Sequence, residues 1–448
     1  MSYTALSDHD KKEMLARVGV SSVDELFRCI PENTRLRRDL DLPVAMSEPE
    51  LLRHMDAVSE RNTYGRFRSF LGGGAYRHFI PSIVDSLSSR TEFVTPYTPY
   101  QPEVSQGTLQ VIFEYQTLIC RLTGMHIGNA SLYDGASAAA EAALMAQRLT
   151  HRNRILVARS LHPQYRQTIR ALTRNLALQV EEIGFGECGG LASADLREKM
   201  GPDVCGLIVQ SPNYFGVVED LGKLSAIVHE HKGLMIVSVA EAVSLGLLEA
   251  PGKLGADVVC GEAQSFGLPA AFGGPGLGFM GCKKEFLRQL PGRICGMTKD
   301  VEGKRGFVLT LSTREQHIRR EKATSNICSN QGWCALRATI YLETTGQTGL
   351  REIALQNVQK AAYAAGRLAA VPGVKLRFSG KTFNEFVLQL PKNAAEVCKA
   401  LRAKGLLAGL EVSPDYAELP DTLLVCVTEV PTKAEIDDLA AALQEVLR

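Results

Sequence analysis

The chain has 448 residues, 45% apolar and 22% charged, with a formal net charge of +1. This describes an ordinary soluble protein with a large core and room for two or three domains. The near-zero charge gives no electrostatic case for nucleic acid or an anionic membrane as partner. The polar start MSYTALSDHDKK lacks the apolar run of a secretory signal. The eleven cysteines are scattered, with no CxxC, which fits mostly buried free thiols in a reducing cytoplasm. The longest apolar stretch, around Gly233 to Ala250, contains Glu241 and Glu249. It reads as a buried strand and a loop rather than a membrane span.

Residues 1–75 read as an N-terminal arm of short helices and loops, with Ser47 and Glu50 forming a capping box. SFLGGGAYRHFIP follows, with three glycines (Gly72 to Gly74) and then Tyr76, His78 and Pro81. It is either a hinge that brings backbone close to a ligand or a flexible connection. In TPYTPYQPE, the prolines at 96, 99 and 102 forbid helix and preset an extended backbone. That backbone displays Tyr97, Thr98, Tyr100 and Gln101, which suits either a site lining or a surface loop. GTLQVIFEYQTLICRLTG has helical apolar spacing and closes on Gly124. The next helix starts at NASLYDGASAAAEA, where the N–H groups of Gly135, Ala136 and Ser137 would face a bound phosphate.

From residue 150 strands and helices alternate. Strands are expected at 154–160, 178–184, 205–211, around LMIVSVAE and at 256–263, with helices between them. This pattern predicts a mostly parallel sheet covered on both faces, with ligands at the carboxyl ends of its strands. Glu241 and Gln264 fall at such ends. A large α/β domain is expected over 76–335. A long helix then leads into a small C-terminal α+β domain over 336–448, whose last helix opens with a Thr432/Glu435 capping box.

This is the layout of fold-type I pyridoxal-phosphate enzymes. Their chemistry needs a covalent lysine, an acid on the pyridine nitrogen and a phosphate cup at a helix start. Glu241 could be the acid, but GEAQSFGLP offers no lysine. Lys253 precedes that strand, and Lys283 and Lys284 follow the glycine-rich loop.

FLGGGAYRHFIP, TPYTPYQPEVSQGTLQVIFEYQT, NASLYDGASAAAEA, GLLEAPGKLGADVVCGEAQSFGLPAAFGGPGLGFMG and REKATSNICSNQ together resemble the glycine decarboxylase P-protein of the glycine cleavage system. They resemble most its subunit 1, the alpha subunit of the split bacterial form. Aligned on Pro269 and Gly273–Gly274–Pro275, the family's His–Lys pair becomes Ala263 and Gln264, as in its alpha halves. Glu241 stands where relatives carry Asp.

The resemblance implies the following activity. Glycine is decarboxylated and its aminomethyl group passes to the lipoyl group of the H-protein. Pyridoxal phosphate is held covalently by a catalytic partner, P-protein subunit 2 (beta), and not by this chain. The implied assembly is a pair of alpha–beta heterodimers in the cytoplasm. Tyr97, Thr98, Tyr100 and Gln101 are the expected wall of the partner's site, with Asn326 and Ser329 as further candidates. His78 is either a substrate contact or a packed, satisfied histidine. Gly135, Ala136, Ser137, Glu241 and Gln264 mark the vestigial cofactor pocket. Two other readings remain: an enzyme complete in itself that uses another lysine, and a non-catalytic scaffold or regulatory subunit of the same complex.

Overall fold

The computed structural model describes residues 5–94, 99–327 and 329–448. It divides into two compact units, Met1–Tyr64 and Gly65–Arg448. Residues 65–75, expected with the arm, therefore pack with the body. Among its described residues the first unit holds two α-helices, Asp8–Val18 and Glu48–Glu60, the latter with the expected Ser47/Glu50 capping box. Neither helix has a buried residue.

The second unit is built on a seven-stranded sheet. Its strands in chain order are β1 (Ile127–Gly128), β2 (Arg154–Ala158), β3 (Gln179–Ile183), β4 (Val204–Gln210), β5 (Leu234–Val239), β6 (Val258–Glu262) and β7 (Gly278–Cys282). The spatial order is β1-β7-β6-β5-β4-β2-β3. The pairs from β6 through β3 are parallel; β7 runs antiparallel to both β6 and β1. β4 is buried along its whole length. Its sequence VCGLIVQ does not alternate, as expected for a strand covered on both faces. One core cluster gathers Leu207, Val209, Val237, Phe266 and Tyr341; another, including Ile155, Ile208, Ile236 and Met280, packs against the alanine-rich helix Gly135–Thr150.

The long helix Gly332–Ala369 breaks at Gly346, whose φ of 59° and ψ of −177° leave the helical region. Beyond it lies a four-stranded antiparallel sheet with its own core, including Phe386, Leu388, Val425 and Leu439. Three chain regions meet in an aromatic cluster. The Phe215 ring lies 4.9 Å from Phe185, 4.7 Å from Phe378 and 4.9 Å from Tyr416, centroid to centroid. It thereby clamps the loop after β4 to the C-terminal sheet.

Phe215→Ala should cost about 3–5 kcal/mol, the range for deleting a fully buried phenyl ring. A denaturant titration checks this; a loss below about 1 kcal/mol would mean that the cluster collapses into the void or adds little.

Candidate functional site

The carboxyl ends of β5 and β6 carry the site. β5 ends at Val239, and Glu241 lies just beyond it, 1% exposed. One Glu241 oxygen accepts from its own Val243 N–H at 3.0 Å. The other accepts from His78 Nε2 at 2.9 Å and Asn384 Nδ2 at 3.0 Å. His78 donates its second ring nitrogen, Nδ1, to Glu429 Oε2 at 2.8 Å. Asn357 Nδ2 donates to the same Glu429 oxygen at 2.9 Å. The other Glu429 oxygen accepts from the Phe79 N–H at 2.7 Å. Burial alone would push the His78 pKa down, but Glu241 and Glu429 together carry it up to about 10. Burial works against ionisation of Glu429 too, yet its bond to His78 holds it below the usual carboxylate range. The ring is therefore an imidazolium between two carboxylates. A buried charge is tolerable only with such pairing.

β6 ends at Glu262, two residues before Gln264. Gln264 Oε1 accepts from the Tyr76 N–H at 3.0 Å, and its Nε2 donates to the Tyr76 carbonyl at 3.2 Å and to the Leu268 carbonyl at 2.5 Å. The amide is thus fully engaged with backbone. Glu262 accepts from the N–H groups of Gly135 (3.0 Å), Gln264 (2.9 Å) and Leu277 (2.6 Å). Burial pushes its pKa up to about 7 against those hydrogen bonds. At the same helix start, Asp134 caps by accepting from the Ser137 N–H at 2.7 Å.

Residues Gly72 to Phe79 form a strap across these strand ends. The Gly73 N–H donates to Glu385 at 2.6 Å, the Gly73 carbonyl accepts from His162 Nε2 at 2.6 Å, and Tyr76 OH donates to Glu385 at 2.8 Å. Burial raises Glu385 to about 7 and lowers the pKa of His162. The glycines have a steric reason. A Cβ on Gly72 would lie 2.3 Å from Glu385 Oε1, and one on Gly74, at φ +99°, 2.6 Å from the His162 ring. The glycine run does bring backbone close, but to the walls of the chain's own pocket. A cavity of about 260 Å³ remains, lined among others by Gly74, Gly135, Ala136, His162, Glu262 and Gln264.

The structure therefore brings His78 into contact with Glu241, and Gln264 into one cavity with Gly135 and Ala136. It leaves the remaining candidates elsewhere. Tyr97 and Thr98 lie outside the described residues. Tyr100 is exposed; its OH accepts from Arg293 Nη2 at 3.0 Å, and its ring lies under that guanidinium at 5.4 Å. Gln101 is exposed and precedes the short turn Pro102–Val104; Asn326 is exposed and Ser329 half-buried. Sequence reasoning missed Glu262, Glu385, Glu429, Asn357, Asn384, His162 and Arg293. Of these, Glu262 had a signal: it is a lone acid closing the apolar strand VVCGE.

A parallel sheet with a site at its strand ends, a long broken helix and a C-terminal α+β lobe define the fold-type I class of pyridoxal-phosphate enzymes. Solved structures agree. Sphingosine-1-phosphate lyase of Burkholderia pseudomallei (TM-score 0.68, 16% identity, 93% of this chain and 94% of that one) and glutamate decarboxylase of Lactobacillus brevis (0.70, 13%, 94% and 97%) share the fold. A crystal structure of glycine decarboxylase (P-protein) of the glycine cleavage system, in inhibitor-bound form, matches at TM-score 0.92 and 42% identity over 100% of both chains. The family model for the glycine cleavage system P-protein matches residues 1–443. Among curated relatives, proteins named "probable glycine dehydrogenase (decarboxylating) subunit 1" are 49% identical in Moorella thermoacetica and 47% in Desulfitobacterium hafniense. Each match covers 100% of both chains. The chain belongs to the glycine cleavage system P-protein family.

The residues present do not fit pyridoxal phosphate. Gln264, an amide at the end of β6, cannot form a covalent link to the cofactor. Glu241 already faces a cation, His78. The helix start that would receive phosphate meets two carboxylates, Asp134 and Glu262, which oppose a phosphate dianion. The cavity lining carries no lysine. Lys253 pairs with Glu249, and Lys283 pairs with Asp257, which precedes β6 at the opposite end of the sheet.

The imidazolium makes stability depend on pH. Glu241 and Glu429 lift the His78 pKa in the folded chain from its ordinary value near 6.5 to about 10. Its contribution is fully present below about pH 6.5 and is lost as pH rises through about 10, with a slope of up to about 1.4 kcal/mol per pH unit between. Glu262 and Glu385 are half-titrated near pH 7, and buried thiols such as Cys205 and Cys260, raised to about 12, add their own loss of stability above about pH 8, so the share of His78 is read as the difference between wild type and His78→Gln from about pH 8 to 9.5. The expected result is a Tm that falls across that interval in the wild type and falls less in His78→Gln. Parallel profiles would show that the folded ring is neutral.

Proposed function

We propose that this chain is subunit 1 of a glycine dehydrogenase (decarboxylating), the member of a hetero-oligomer that lacks the cofactor lysine and completes the site of a catalytic partner. The partner, P-protein subunit 2, holds pyridoxal phosphate covalently, and the lipoylated H-protein receives the aminomethyl group. When bound there, the cofactor supplies an electron sink for decarboxylation. The observation that supports this reading is Gln264: at the position where the resemblance puts the family's lysine stands an amide whose donors and acceptor are spent on backbone.

Two features support a partner-facing role. The first unit exposes large apolar side chains such as Leu51, Leu52 and Met55 on a helix with no buried residue. Exposed apolar clusters of this kind mark protein interfaces. The Pro/Tyr segment ends at Tyr100, which is anchored on the buried Arg293. That anchor can hold the segment's polar groups towards a neighbouring site at little entropic cost. On this reading Gln101, Tyr97 and Thr98 orient the substrate or exclude water.

The test mixes this chain, bearing Tyr97→Phe or Gln101→Ala, with wild-type partner. Hetero-oligomers should form and the partner's cofactor absorption band should persist, while glycine decarboxylation falls roughly ten- to a thousandfold. That corresponds to one or two positioning hydrogen bonds of about 1.4 kcal/mol or more each. Full activity in both variants with intact assembly would make the segment purely structural and favour the scaffold reading.

A further inference from the structure

We propose that the strap Gly72–Phe79 is the chain's own replacement for a cofactor: the His78 ring occupies a built niche for a flat heteroaromatic cation, and the former binding pocket has become the joint that holds the two lobes of the second unit. The inference rests on the geometry of this chain and stands whether or not the subunit reading above is right.

Three positions carry it. The first is the acid beyond β5. In the fold class an acid there meets the nitrogen of the cofactor ring. In this chain Glu241 meets His78 Nε2 instead, at 2.9 Å. The second is the lysine position. Gln264 pairs with both the N–H and the carbonyl of Tyr76, as a neighbouring strand would. The third is the helix start, where the anionic partner of Gly135 N–H is the chain's own Glu262, at 3.0 Å.

The niche is closed on every side by the chain itself. Glu429 and Asn384 come from the C-terminal lobe, Asn357 from the long helix and Glu241 from the central sheet. Further strap bonds repeat the pattern: the Arg77 carbonyl accepts from Thr428 Oγ1 at 2.7 Å, and Glu429 accepts from the Phe79 N–H. One planar ring with two N–H donors in opposite directions thus joins sheet and lobe. Lysine could not replace it, because an ammonium on a flexible stem has no such opposed, coplanar donors. The three strap glycines are required because the strap runs where a Cβ would overlap Glu385, Leu410 and His162.

The test uses the full-length chain and removes only the ring. His78→Gly should melt well below the wild type, because Glu241 and Glu429 then share a void without their cation. Added imidazole should raise the variant's Tm by a few degrees and leave the wild type unmoved. Furan, of similar size but uncharged, should not rescue it. Pyridoxal phosphate should neither raise the Tm of the wild-type chain nor develop a new absorption band with it. Rescue by furan as well as imidazole, absence of any selective rescue, or stabilisation of the wild type by pyridoxal phosphate would each overturn the proposal. If His78→Gly does not fold, nitrogen-15 NMR of histidine-labelled wild type decides, with His78 assigned by its absence in His78→Gln. Both ring nitrogens protonated at pH 8 support the proposal, and a neutral ring overturns it.

Discussion

The second unit depends on a single buried ion triad, His78 between Glu241 and Glu429. All three side chains are almost wholly withdrawn from water. Two carboxylates this close and this dry could not both stay ionised without the cation between them. Once the imidazolium is there, its two opposed donors fix where the strap lies and how the C-terminal lobe sits against the sheet. The strap's course in turn demands glycine at 72–74 and places the Tyr76 backbone against Gln264.

That arrangement changes what the strand ends can do. In an open doubly wound sheet they are the natural place for a ligand. Here the same ends are occupied by hydrogen bonds within the chain, and the remaining cavity of about 260 Å³ is lined by Asp134 and Glu262. The fold is that of a cofactor enzyme, but its polar groups at this place serve cohesion. On the proposed reading, function has moved to surfaces that face another chain: the Tyr100–Arg293 corner and the apolar helix Glu48–Glu60.

Much of the fold was legible because it rests on local signals. The alternation of apolar strands and helices after residue 150 predicts β2 through β6 within a residue or two. Gly124 terminates its helix in the left-handed conformation, and the Thr432/Glu435 capping box opens the last helix. The absence of a lysine in GEAQSF was equally readable. What stayed hidden was long-range. His78 and Glu429 are 351 residues apart in sequence, and nothing near either announces the other. The glycine run was ambiguous for the same reason: only the three-dimensional neighbours Glu385 and His162 show that it packs tightly. The helix start at Gly135 could be recognised as an anion site, but not that Glu262, 127 residues on, already fills it.

The central claim is that this chain contributes structure and a wall, while the covalent chemistry belongs to a partner. The most direct measurement is borohydride reduction of the assembled complex in the presence of pyridoxal phosphate, followed by digestion and mass-spectrometric mapping of phosphopyridoxyl-lysine. The account predicts that all of the modified lysine is recovered in peptides of the partner. Stoichiometric modification of any single lysine of this chain, Lys253, Lys283 and Lys284 included, would contradict it.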